Sequence, residues 1–227
     1  MLNIGLLDTE PGEVIAAKQV VKSYYLLRLK DVWQNHNSPV WFDHEIDYHM
    51  WPKNIFWIER GVFGRIMMTP GCRVLDLCCG DGYFSDVWYS TIAGRIDACD
   101  NDSGALDFAA QKHSNERIKY HRVDVLADSL PGTNYDVVTW FEAIEHFTED
   151  QIVYILQKIN SSLNQKGRLI GSTTLVKQLG KPGNRQHKRE FTSQEDVASV
   201  LSRVFTNNHA WVSIYPERTT CYFQCCK

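Results

Sequence analysis

Val74-Leu-Asp-Leu-Cys-Cys-Gly-Asp-Gly82 joins an apolar run ending in an acid to a glycine-rich turn. Arg73 to Leu77 is β-prone and Tyr83 to Thr91 carries apolar residues at helical spacing, so Cys78 to Gly82 links a strand to a helix. Gly80 and Gly82 admit positive φ and let a ligand approach backbone that no side chain covers. The helix beyond them points its free N–H groups at that ligand. Asp76, at the carboxyl end of the strand, can accept from an ammonium or order the loop. In open α/β sheets that edge, at a topological switch point, is where ligands bind.

Two chemistries share this layout. Dinucleotide enzymes place G-x-G-x-x-G after their first strand, with an acid about 20 residues on for the ribose. Gly80, Gly82 and Ser85 match that pattern only in part, and the motif begins well inside the chain.

The alternative fits better. Asp76-Leu-Cys-Cys-Gly-Asp-Gly82 resembles motif I of the class I S-adenosylmethionine-dependent methyltransferases, D-x-G-x-G-x-G, with Cys78 in place of the first glycine. Asp76, Cys78, Gly80, Asp81 and Gly82 would then bound the cofactor, and the thiol tightens the loop near its methionine part. The resemblance continues in order along the chain. Arg95 to Asp100 reads as a second strand, whose Asp100 would take both ribose hydroxyls with Asn101 beside the adenine; a carboxylate accepts two O–H donors at once. Ile118 to Val123 reads as a third strand ending at Asp124, placed as the family's contact to the adenine amino group, with Val125 next to it. Tyr135 to Trp140 is a fourth strand, with Phe141 near the cofactor at its exit. Singly, Asp100 or Asp124 could equally be a turn residue or helix cap; their regular spacing favours the family role. The match covers about residues 70 to 175. It implies a Rossmann-like α/β fold: a seven-stranded, mostly parallel sheet with helices on both faces. The C-terminal strands, His209 to Tyr215 and Thr220 to Cys226, form its antiparallel edge pair.

The composition is that of one enzyme domain with additions. The chain has 227 residues, a formal net charge of -3 and no repeat or low-complexity tract, and a mean hydropathy of -0.32. No apolar stretch reaches the length of a membrane span, and Met1 to Gly12 lacks a basic start and hydrophobic middle, so a cytoplasmic protein away from membranes is expected. The 7 cysteines lack metal-type C-x-x-C spacing, and reduced thiols are the default. Residues 1–68 are expected to form a helical cap and substrate-side segment, with a helix over Glu13 to Trp33, and residues 69–227 the core. Trp41-Phe-Asp-His-Glu-Ile-Asp-Tyr-His-Met-Trp-Pro52 is dense in aromatics, His and acids. His44, Trp51 and Arg60 are the substrate-side candidates, and Arg60 also suits the cofactor's carboxylate. The simpler role for these aromatics is burial against the sheet.

Glu142-Ala-Ile-Glu-His-Phe147 follows the fourth strand. On an early helical turn, Glu142, Glu145 and His146 would share one face. Two carboxylates and an imidazole make a general base, or half of a divalent-metal site with mostly oxygen ligands. His187-Lys-Arg-Glu-Phe-Thr-Ser-Gln-Glu195 offers a further group, His187, and Thr192 with Glu195 reads as a capping box. Both stretches resemble elements of the small-RNA 3′-terminal 2′-O-methyltransferases, in which E-x-x-E-H and a later His hold a divalent ion, and of the ubiquinone-pathway O-methyltransferases, which share E-x-x-E-H with small phenolic substrates. Glu142, Glu145, His146 and His187 are the metal candidates on that resemblance. A hydrogen-bonded pocket residue is the other role for His146.

Methyl transfer needs mainly alignment of acceptor and methyl group, but a hydroxyl acceptor must lose its proton. His146, His187 or Glu145 could take it, so oxygen is the expected acceptor atom. The loop after the fifth strand, Gly167 to Thr173, holds Lys177, Lys181, Arg185, Lys188 and Arg189, which could clamp an anionic substrate or simply be solvated. There is no other basic stripe, so a small-molecule acceptor is preferred over nucleic acid. The alternatives are a metal-dependent RNA ribose 2′-O-methyltransferase and a cofactor-binding module without chemistry; the ionisable Glu142, Glu145 and His146 argue against the last.

Overall fold

The computed structural model describes residues 20, 54–176, 186–215 and 218–227. The expected helix over Glu13 to Trp33 lies outside them save for Val20, which is helical; His44, Trp51, Lys177, Lys181 and Arg185 also lie outside. Apart from Val20, the described residues belong to the compact unit Val40–Lys227.

Helix α1 (Asn54–Ile66) precedes β1 (Arg73–Leu77), α2 (Tyr83–Val87), a 3-10 turn at Tyr89–Thr91, β2 (Arg95–Asp100), α3 (Ser103–Lys112) and β3 (Ile118–Arg122). Then come β4 (Tyr135–Phe141), a second 3-10 turn (Ile144–His146), α4 (Glu149–Ser162), β5 (Leu163–Leu175), α5 (Gln194–Ser202), β6 (Asn207–Ile214) and β7 (Thr219–Cys226). The strands form one 7-stranded sheet in the order β3-β2-β1-β4-β5-β7-β6. Pairing is parallel from β3 through β5, and β7 runs antiparallel to both β5 and β6. The antiparallel pair expected at the C-terminus is present, with β7 inside the sheet and β6 at its edge.

The central strands are continuous apolar runs because both faces are covered. Leu75, Leu77, Val138 and Trp140 turn to one face, where they pack with Ile155 and Ile159 of α4 and Val197 of α5. Val74, Ile96 and Val137 turn to the other, with Trp57 and Phe63 of α1, Phe84 of α2 and Leu106 of α3. Asp102 caps α3 by accepting the N–H groups of Gly104 and Ala105, and Thr148 with Gln151 forms a full capping box on α4. The expected box at Thr192 is displaced by one residue. Ser193 is the cap of α5, accepting from Asp196 N–H, while the Asp196 carboxylate accepts from Thr192 N–H at 3.2 Å. Asp196, rather than Glu195, is the acid three residues past the cap.

The strand order reverses between β1 and β4. The chain leaves β1 toward β2 and β3, then crosses back to β4, so the connections at the two carboxyl ends diverge and open a crevice.

Candidate functional site

The loop after β1 forms one wall of that crevice. Gly80 has φ +56 and Gly82 φ +74, and a Cβ at Gly80 would meet nothing within 4 Å, so the loop backbone faces open space. At Gly82 a Cβ would lie 2.5 Å from Tyr120 Oη and 2.9 Å from Ala109 Cβ, which makes glycine obligatory there for packing as well as for φ. Cys78 also sits in the left-handed region, at φ 59. A non-glycine residue held there costs about 1–3 kcal/mol. The substitution of the motif's first glycine therefore strains the loop, beyond merely filling it.

Asp76 is buried and accepts from Ser85 Oγ at 2.6 Å and Thr139 Oγ1 at 2.5 Å. Burial raises its pKa, against the opposing pull of these two hydroxyls. Asp76 thus ties β1 to the first turn of α2 and to β4. Thr139 stands out in the sequence as the one hydroxyl in an otherwise apolar strand exit, Val-Val-Thr-Trp-Phe; nothing in the sequence pairs it with Asp76. Asp81 is buried and accepts from Tyr83 N–H at 3.2 Å, shaping the turn into α2.

Asp100 accepts from Gly80 N–H at 2.9 Å through Oδ2 and from Asp102 N–H at 3.0 Å through Oδ1. A carboxylate offers about four lone-pair sites, so capacity for ligand hydroxyls remains. Asn101 is exposed beside it. At the end of β3, Asp124 is exposed and accepts from Leu126 N–H at 2.9 Å, while Val125 is buried. Phe141 is buried at the exit of β4.

Arg60 of α1 enters the same region. It is 5% exposed, and its guanidinium lies 3.9 Å from the Phe84 ring centroid and 4.9 Å from that of Phe141. Its Nε has no hydrogen-bond partner among the described residues. A buried guanidinium with a donor to spare is a natural partner for a carboxylate.

The second wall is built on the turn after β4, and here the structure corrects the helical-turn expectation. Glu142 adopts φ 51, so the chain kinks before the 3-10 turn, and the Glu142 carboxylate is not in the group that Glu145 and His146 form. Its carboxylate accepts from Ser172 Oγ at 2.6 Å, from Thr174 Oγ1 at 3.2 Å and from the Arg218 guanidinium. Burial alone would push the Glu142 pKa up, but Arg218 and Ser172 outweigh it and hold it below the ordinary carboxylate value. Arg218 also stacks on Phe56, 4.6 Å from its centroid. Sequence reasoning missed Arg218, which sits in a hairpin with no local motif.

Glu145 is buried and accepts from Thr173 Oγ1 at 3.0 Å. Burial, then the nearby charge of Glu142, raises its pKa. The Glu145 carbonyl accepts from the N–H groups of Lys188 and Arg189 at 2.9 and 3.1 Å, which brings His187 to His146, with ring centroids 5.2 Å apart. One ligand atom from each of Glu145, His146 and His187 lies within 4.8 Å of the others. Glu142 is outside this set because its oxygens are turned to Arg218 and the two hydroxyls. The candidate metal site therefore has two imidazoles and one carboxylate, not the oxygen-rich set expected. Burial, then His146, pushes the His187 pKa down, which keeps its ring neutral. Arg189 is committed elsewhere, to Asp196 at 2.5 Å and Glu149 at 3.5 Å, so it is not a free clamp for an anionic substrate.

A family described as a methyltransferase domain matches residues 74–167. Ribosomal protein L11 methyltransferase from Burkholderia mallei (strain NCTC 10229) is 26% identical over 170 residues, 71% of this chain and 46% of that protein. The chain spans about half the length of the curated relatives it matches. The N-methyltransferase NodS from Bradyrhizobium japonicum WM9, in complex with S-adenosyl-L-homocysteine, is similar in fold, with a TM-score of 0.66 at 14% identity over 83% of this chain and 94% of that one. DhpI in its complex with SAH has a TM-score of 0.60 at 16% identity, over 90% and 93% of the two chains.

Proposed function

We propose that the chain is a class I S-adenosylmethionine-dependent methyltransferase, a reading supported by the methyltransferase-domain match over residues 74–167 and by the strand order of the sheet, and that it moves a methyl group onto an oxygen atom of a small-molecule acceptor. The observation that carries this reading is the meeting of Glu145, His146 and His187 just beyond the carboxyl end of β4, the strand adjacent to the one that carries the glycine loop.

The residues present fit S-adenosylmethionine. The open, side-chain-free backbone at Gly80 gives room for close approach, and the spare donor of buried Arg60 suits the methionine carboxylate. Asp100 would take ribose hydroxyls, with Asn101, Asp124 and Val125 toward the adenine and Phe141 near the cofactor at the exit of β4. The bound cofactor supplies an already activated methyl group. What the chain adds is alignment, an effect that can reach about 7–11 kcal/mol, and removal of the acceptor's proton.

The geometry redistributes the proton-handling roles. Glu145, its pKa pushed up to about 8 by burial and then by Glu142, keeps its proton above the ordinary carboxylate range and donates more readily than it accepts. His187, its pKa lowered by burial and then by His146, is the unprotonated group of the pair and so the one free to accept a hydroxyl proton, at some loss of basicity. Two imidazoles and a carboxylate also suit a borderline divalent ion, which would lower the pKa of an acceptor hydroxyl. That same convergence supports a second reading, methylation of an RNA ribose 2′-hydroxyl.

The test is methyl-label transfer from radioactive S-adenosylmethionine into a source-cell extract. Portions are treated with ribonuclease or chelator and separated by size. Label in small molecules that ignores ribonuclease supports the main reading. Label in RNA that is lost with chelator supports the second, and label in protein overturns both in favour of the acceptor class named for the ribosomal relatives.

A further inference from the structure

Residues 123–134 connect β3 to β4 without a helix, and they carry Asp124 and Val125, the residues expected at the adenine. The first part of this loop is a tight turn. Asp124 N–H donates to Asp128 Oδ2 at 2.9 Å, and Leu126 N–H donates to Asp124 Oδ1 at 2.9 Å. The N–H groups of Ala127 and Asp128 donate to the Asp124 carbonyl at 3.1 and 2.7 Å. Val125 anchors it in the core shared with Ile155 and Ile159 of α4.

One side chain from outside the loop closes this turn. Lys158, on α4, donates from Nζ to the Val125 carbonyl at 2.7 Å and to the Asp128 carbonyl. Its position is set over the Tyr154 ring, 5.4 Å from the centroid. An ammonium has three donors and no acceptor, so it can bridge two carbonyls at once. Hydrogen bonds with a charged partner are roughly twice as strong as neutral ones. Its charge also lies beside a turn bearing two exposed carboxylates, Asp124 and Asp128.

We infer that Lys158 is a positioning residue for recognition of the cofactor's adenine: by bridging the two carbonyls it holds Asp124 and Val125 at the height where the base is received. Without it the turn samples other conformers, and binding must then order it. This role rests on the proposed reading of the crevice as an S-adenosylmethionine pocket. It requires that Lys158 act on discrimination at the base, whereas a mere staple of the fold would act on stability alone.

The experiment compares binding of S-adenosylhomocysteine and of S-inosylhomocysteine, which has an oxygen where the adenine carries its amino group, to the whole chain and to its Lys158→Met and Lys158→Arg variants, with thermal unfolding of each. Loss of a charge-assisted pair of bonds should weaken adenosyl binding by about tenfold in Lys158→Met. The inosyl analogue should weaken less, so the preference between the two narrows, and Lys158→Arg should regain most of it. An unchanged preference in Lys158→Met, with or without a lower unfolding temperature, overturns the inference. If the unaltered chain binds neither compound, the cofactor reading itself falls, and the inference with it.

Discussion

Asp100 at the end of β2 accepts the backbone N–H of Gly80 at 2.9 Å, so the residue expected to grip the ribose also fixes the loop expected to receive the methionine part of the cofactor. Both halves of the pocket depend on one carboxylate. Replacing Asp100 with Ala should therefore weaken S-adenosylhomocysteine binding by more than loss of a ribose contact alone, about a hundredfold or more for two charge-assisted bonds. Asp100→Asn, which keeps an acceptor oxygen, should fall between. Calorimetric titration of the three proteins decides it; equal affinity in all of them would remove Asp100 from the pocket.

Thr139 holds Asp76 from the β4 side at 2.5 Å, and both side chains are buried. Thr139→Val keeps the shape and deletes the donor, leaving a buried carboxyl oxygen unsatisfied. The expected cost is about 1–3 kcal/mol of folding stability, read by urea unfolding. Thr139→Ser should restore most of it. A neutral Thr139→Val would mean that Asp76 does not depend on this bond.

Gly82→Ala meets two obstacles at once, a left-handed φ of +74 and Tyr120 Oη at 2.5 Å from the new Cβ. We expect loss of measurable cofactor binding together with a stability loss of about 1–3 kcal/mol. Gly71→Ala is the control: it also has positive φ, at +80, but nothing lies within 4 Å of its Cβ. It should cost stability without affecting binding, as followed by thermal unfolding and titration.

Glu145 gives the fold a signed pH dependence. Burial, then Glu142, raises its pKa in the folded protein above the unfolded value. The folded state therefore binds more protons than the unfolded state from the ordinary carboxylate pKa up to the raised one, and stability falls with rising pH across that window. Glu145→Gln removes the titration, so it should gain on the wild type progressively as pH rises from about 4.5. Urea unfolding of both proteins at several pH values in chelator would show it. Parallel stability curves would mean that Glu145 is ordinarily charged in the fold.

Much of the fold and one side of the site were legible in the sequence, for a definite reason. β1 and β2 run from Arg73 to Leu77 and from Arg95 to Asp100, as their apolar patterns indicate, because strands covered on both faces leave little else for those positions to be. Gly82 is legible because two constraints, φ and close packing, both demand glycine. The turn after β4 is not. Spacing alone puts Glu142, Glu145 and His146 on one helical face, but Glu142 is drawn off by Arg218, which lies 76 positions away in sequence. His187 reaches His146 through backbone bonds from Lys188 and Arg189 to Glu145, which no side-chain motif records. Such long-range pairings depend on which strands become neighbours, and that is settled only when the sheet assembles.

The central claim is that the glycine loop, Asp100 and Arg60 form a working S-adenosylmethionine pocket. Its most direct test is calorimetric titration of the intact chain with S-adenosylhomocysteine, with Arg60→Met and Gly82→Ala alongside. The account predicts saturable binding at one site, much weakened in Arg60→Met and absent in Gly82→Ala. No binding by the unaltered chain, or binding indifferent to both substitutions, would contradict it.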